Sequence, residues 1–175
     1  MQTSYIITFI GDDRPGLVEQ LSRTIEDNHG NWHDSRLSQL GGKFSGLILV
    51  SLPAANGDAL ELALKSLSAS GLSVRVTPAV DGIASNDGKD ISLTVLGPDR
   101  KGIVREISHA LAEQQINVIE MDSEVISAPM SGELLFQARI QAKIPASVDL
   151  DNLEDTLEQI ADQMTLDIDL DAGSS

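Results

Sequence analysis

The sequence predicts an α+β chain of two tandem βαββαβ units, each a four-stranded antiparallel sheet with two helices on one face. Three observations predict it. The run Gly11-Asp12-Asp13-Arg14-Pro15-Gly16-Leu17-Val18 returns as Gly97-Pro98-Asp99-Arg100-Lys101-Gly102-Ile103-Val104, a shift of 86 residues. The same shift aligns Leu21 with Ile107, Ile25 with Leu111 and Asn31 with Asn117, and a repeat that keeps glycines and apolar positions is architectural. Hydrophobic residues make up 41% of the 175 but aromatic ones only 3%, so any core is aliphatic, which suits small layered domains better than a large cleft.

The elements follow in order. Residues 5–10 and 91–96 are β-rich runs closed by glycine, hence strands. Residues 15–28 carry Leu17, Val18, Leu21 and Ile25 at helical spacing, and residues 101–114 repeat this with Ile103, Val104, Ile107 and Leu111. Residues 31–40 and 44–52 form a hairpin about Gly41-Gly42. Their counterparts, 117–127 and 133–144, are joined by Ala128-Pro129-Met130-Ser131. A second helix follows at 58–70 or 148–164, where Leu60, Leu64 and Leu67 answer to Leu153, Leu157 and Ile160. A last short strand, 72–77 or 166–170, closes each copy in the ferredoxin-like arrangement. The domains are expected at 1–80 and 91–171, joined by a linker of turn formers at 81–90, with residues 172–175 frayed.

Charge narrows the function. With 27 acids against 12 bases the net charge is -15, a surface that repels phosphates and so excludes direct nucleic-acid or anionic-membrane binding. It suits a basic protein partner instead. The imbalance lies in the second half: residues 1–80 hold 8 acids and 6 bases, residues 91–175 hold 16 and 5. Asp151, Asp155, Glu158 and Asp162 fall on a solvated helix face, whose sharper reading is a docking surface for that partner. The absence of cysteine excludes disulfides, thiolate zinc ligands and thiol catalysis. No apolar run spans a bilayer and residues 1–10 lack the basic start of a signal peptide, so the expected location is cytoplasmic. Dinucleotide and Walker-type glycine spacings are missing, no serine sits in a nucleophile elbow, and His29, His33 and His109 do not assemble a ligand set. No catalytic residue, metal or cofactor is expected, and the chain reads as a non-enzyme.

What remains is the duplicated turn. Asp13 and Asp99 precede the first helices and read as N-caps. A glycine-lined turn at a helix N-terminus also suits a small anion or zwitterion, with N–H groups taking a carboxylate and an Asp or Asn taking an ammonium. Both readings stand together. Gly11 and Gly97 suit a tight turn or a close ligand approach. Gly16 and Gly102 fall in the first helical turn, where close backbone packing would justify them. Met121, Met130 and Met164 read as core or loop filler.

The strand, the G-x-D-R-P-G-[LI]-[LV] turn, the apolar helix and the Gly30-Asn31-Trp32 or Ile116-Asn117-Val118 entry to the next strand together resemble the ACT domain family. The resemblance covers nearly the whole chain. It implies units that pair side by side, either within one chain or between two chains as a homodimer, and bind a small amino acid between them. The implied effector residues are Gly11, Asp12, Asp13, Gly16, Leu17 and Asn31 in the first copy. In the second they are Gly97, Asp99, Gly102, Ile103 and Asn117. Two departures bear on this. Lys101 stands where proline is usual and Pro98 precedes Asp99, which marks the second turn as the one to differ in shape; Trp32, bulky beside Asn31, is expected to close one pocket. The first copy, with Pro15 in place, is the narrow favourite for a working site. A chain of two such units further resembles the transcriptional repressors of glycine cleavage systems. That implies a regulator responsive to an amino acid such as glycine, holding a LysR-type activator in check without touching DNA. The alternative reading is a regulatory subunit of an amino-acid biosynthetic enzyme, a class that also uses ACT domains.

Overall fold

The computed structural model describes residues 1–80 and 88–173. The chain divides into two compact units, Met1–Ile83 and Ala84–Ser175. The first contains β1 (Gln2–Asp12), α1 (Leu17–Asp27), β2 (Asn31–Leu40), β3 (Lys43–Pro53), α2 (Gly57–Ser66) and β4 (Ser73–Pro78). The second contains β5 (Lys89–Pro98), α3 (Ile103–Glu113), β6 (Asn117–Ser127), β7 (Leu134–Ile144), α4 (Leu150–Met164) and β8 (Asp167–Asp171). Strand order is β2-β3-β1-β4 in one sheet and β6-β7-β5-β8 in the other, every neighbouring pair antiparallel. Both units are ferredoxin-like βαββαβ folds.

Alternation along the strands explains the layering. In β1, Ile7 and Phe9 are buried while Thr8 and Ile10 face the other way. Leu17, Leu21 and Ile25 line the inward stripe of α1, and Ile103, Ile107 and Leu111 repeat it in α3. Each core is assembled from residues of one unit, and neither contains a buried polar or charged residue among those described. Fully burying such an aliphatic side chain contributes about 1.5–3 kcal/mol, so a few layers of Leu, Ile and Val hold each unit.

The ends differ in detail from the sequence reading. Strand β5 begins at Lys89, opposite Ile144, inside the stretch expected to be linker. Residues 81–87 of that linker lie outside the described residues, as do 174–175 of the expected frayed tail; Ala172 packs against the second core. Helix α2 stops at Ser66 and tightens into a 3₁₀ turn at Leu67–Ser70. Met121, expected as filler, is 37% exposed on β6, and Met130 is exposed in the β6–β7 loop.

Helices α1 and α3 leave by the same device. His29 and Gln115 adopt left-handed φ values of 63° and 57°. Gly30 donates to the Ile25 carbonyl at 2.8 Å and Ile116 to that of Leu111 at 2.9 Å, the long bond of a Schellman cap. The chain is thereby turned back to start β2 or β6.

Candidate functional site

The helix entries correct one expectation. Asp13 and Asp99 are not the N-caps. Gly16 (φ 87°, ψ 0°) and Gly102 (φ 98°, ψ -8°) are, and no side chain caps either helix. Left-handed values of this kind belong to the third residue of a type II turn, a place suited to glycine, with Pro15 pre-set before it in the first copy. The two glycines are therefore required by backbone conformation, not by packing. A Cβ on Gly16 would meet nothing within 4 Å, and one on Gly102 only Met164 Cε at 3.8 Å. The near-equal angles also show that Lys101 and Pro98 leave the second turn the shape of the first at its glycine.

Gly11 and Gly97 lie within β1 and β5, not in a tight turn. A Cβ on Gly11 would come within 2.9 Å of Leu72 Cδ1; one on Gly97 would come within 2.6 Å of Leu166 Cδ2 and 2.8 Å of the Thr165 carbonyl. These glycines accommodate the segment entering the last strand of their own unit. Leu17 and Ile103 are core residues, so their side chains are unavailable to a ligand.

The acids of the turn have separate duties. Asp12, at the end of β1, forms an exposed ion pair with Lys43. The hydrogen bond from Lys43, then its charge, holds the Asp12 carboxyl below the usual range. Asp13 donates its backbone N–H to the Gly42 carbonyl at 3.0 Å, and Asp99 does the same to Leu134 at 2.8 Å. Each aspartate precedes by three residues a helix N-terminus that no side chain caps, and such a terminus favours an anion.

The two asparagines lie elsewhere. Asn31 sits opposite Ser51, which sits opposite Ser4, while Gly11 is seven residues further along β1. At about 3.3 Å per residue that is roughly 23 Å. In the second unit Asn117 sits opposite Lys143, which sits opposite Asp90, again seven residues from Gly97 along β5. Each unit thus keeps its turn and its asparagine at opposite ends of the sheet. Trp32 does not close a pocket on Asn31: strand alternation turns it to the helix side, where it packs on the first core.

One feature escaped the sequence reading. The register puts Val118, Met121 and Val125 of the edge strand β6 on the helix side, at 39%, 37% and 50% exposure, uncovered by α3 or α4. A bulge between Val118 and Glu120 breaks the period-2 pattern that would have announced them.

A glycine-entered first helix on a sheet of this order, twice over, defines a pair of small ferredoxin-like modules of one build. The ACT domain matches residues 3–77 and 89–171, and the chain belongs to that family. Comparison with curated proteins gives no match. Among solved structures, an unknown protein from Galdieria sulphuraria is 29% identical, with a TM-score of 0.83 over 99% of this chain and 100% of that one. A protein designated a glycine cleavage system transcriptional repressor is 19% identical, with a TM-score of 0.73 over 100% of this chain and 99% of that one, a likeness of fold. Among the described residues no helix is long and apolar enough to cross a membrane.

Proposed function

We propose that this chain is a non-enzymatic, amino-acid-responsive regulator whose effector sites form only where two ACT units pair. The observation that carries the reading is the seven-residue separation of turn and asparagine within each unit. An edge-to-edge, antiparallel pairing of β2-type strands brings the turn of one unit beside the asparagine of the other. A carboxylate then meets the uncapped helix N-terminus, and the ammonium meets Asp13 or Asp99 with the asparagine of the paired unit. The uncovered apolar strip of β6 supplies surface for such pairing in the second unit. The Trp32-filled edge of the first unit offers less, so the second turn displaces the first as the favoured site.

The output is a protein contact in the cytoplasm. The acidic chain suits a basic partner, and a transcription activator of the LysR type governing a glycine cleavage operon is the partner this reading names. Calorimetry across the common amino acids tests the first half, with Asp13→Asn, Asp99→Asn, Asn31→Ala and Asn117→Ala as variants. Charged hydrogen bonds are worth about 1.5–3 kcal/mol, so one turn variant and one asparagine variant should each lose roughly ten- to hundredfold in affinity. Amino-acid binding unchanged in all four would overturn the site. Capture from cell extract tests the second half: a metabolic enzyme in place of a transcription factor would favour the biosynthetic alternative.

A further inference from the structure

Each sheet has a second face, away from its helices, and the two faces carry opposite charge at equivalent positions. In the first sheet a row running across all four strands reads Arg36, Leu47, Thr8, Arg75. The equivalent row of the second reads Asp122, Arg139, Thr94, Asp169. Arginine at both edges of one row answers aspartate at both edges of the other. With the pairs Asp12–Lys43 and Asp90–Lys143 set aside, and the bulge residues His33 and Asp34 apart, Arg36 and Arg75 are the charges of the first face. The second keeps Glu120, Asp122, Glu124, Asp167, Asp169 and Asp171 against Arg139 alone. All are exposed, and none of Arg36, Arg75, Arg139 or these six acids has an ion pair among the described residues.

The middle of the first face is apolar: Ile10 and Leu47 are about half exposed, with Ile6 and Leu49 beside them. The middle of the second is a broad concavity of about 890 Å³, lined by Thr94, Leu96, Gln137 and Arg139 between its two acidic edges. We propose that the open sheet face of the first unit docks onto the open sheet face of the second unit of another copy of this chain. Two features favour this occupant. The charge match does not depend on strand direction, because both ends of each row have the same sign. The area is also adequate. Four strands about 4.8 Å apart span about 19 Å, and about six residues along each strand span about 20 Å, giving roughly 400 Å² per face and hence about 800 Å² of total surface per contact. A closed dimer makes the contact twice, reaching about 1,600 Å², the size of a standard stable interface.

The charge-swap experiment reads assembly mass by sedimentation. One variant carries Arg36→Glu with Arg75→Glu, the other Asp122→Arg with Asp169→Arg. Alone, each opposes like charges across the contact, and its assembly mass should fall to half that of wild type. Mixed in equal amounts, the two variants restore both contacts, acid to base each time, and the wild-type mass should return. Recovery on mixing also shows that both variants are folded. A wild-type chain that stays at single-chain mass at all concentrations overturns the proposal. So does an unchanged mass in either variant, as pairing through strand edges alone would give, or a mixture that fails to recover.

Discussion

The two units share one skeleton and differ in what they show to their surroundings. The first packs Phe9 against Phe44 at 5.9 Å between ring centroids and adds Trp32, so its β2 edge is backed by aromatic bulk. The second has Ala138 and Ala142 on β7 and leaves Val118, Met121 and Val125 uncovered on β6. Yet both enter their first helix through a left-handed glycine and leave it through a left-handed polar residue. Backbone conformation is retained where it cannot be replaced, while volume and charge are free to drift apart. A duplicated fold can thus keep its geometry and still give each copy a separate binding character.

The largest expected break in the symmetry is at the buried strand glycines. Gly97→Ala puts a Cβ 2.8 Å from the Thr165 carbonyl, a backbone atom that cannot step aside, whereas Gly11→Ala presses first on the end of a leucine side chain. Overpacking costs about 1–3 kcal/mol, and thermal denaturation should rank Gly97→Ala clearly above Gly11→Ala. Equal costs would mean that the two close approaches are equally compliant. Next come the turn glycines. Gly16→Ala and Gly102→Ala should each lose about 1–2 kcal/mol through the left-handed backbone. Asp13→Ala and Asp99→Ala, which remove no cap, should stay within about 0.5 kcal/mol. Losses at the aspartates as large as a missing cap would restore them to that role.

The smallest effect lies in the pair that the second turn lacks, Asp12 with Lys43. Asp12 has a lowered folded-state pKa, so its contribution is present above the unfolded value and lost as pH falls through the folded one. Followed by NMR, its carboxyl should titrate below an ordinary aspartate and return to normal in Lys43→Met. No change on losing Lys43 would show that the two side chains do not meet in solution.

Element order was legible because the repeat states every apolar stripe twice, so Leu17, Leu21 and Ile25 are confirmed by Ile103, Ile107 and Leu111. The entry glycines were legible as glycines but not as caps, since an aspartate three residues earlier offers an equally good local signal. Helix exits were harder. Gly71 announces its left-handed φ of 83°, but His29, Gln115 and Thr165 adopt the same region without glycine's signature, held there by the bonds of the cap. For the candidate site, the residues could be named from sequence, but not their distance. That Gly11 and Asn31 stand at opposite ends follows from β1 and β2 running parallel on either side of β3, a fact of pairing that spacing along the chain does not carry.

The strand glycines have a mechanical consequence. With hydrogen in place of a methyl, the end of β5 lies flush against Thr165 and Leu166, the two residues that lead into β8. Interiors packed this closely behave as stiff bodies, so a push on the duplicated turn is not absorbed at the joint. It is handed to β8, whose Asp167, Asp169 and Asp171 form one border of the acidic face.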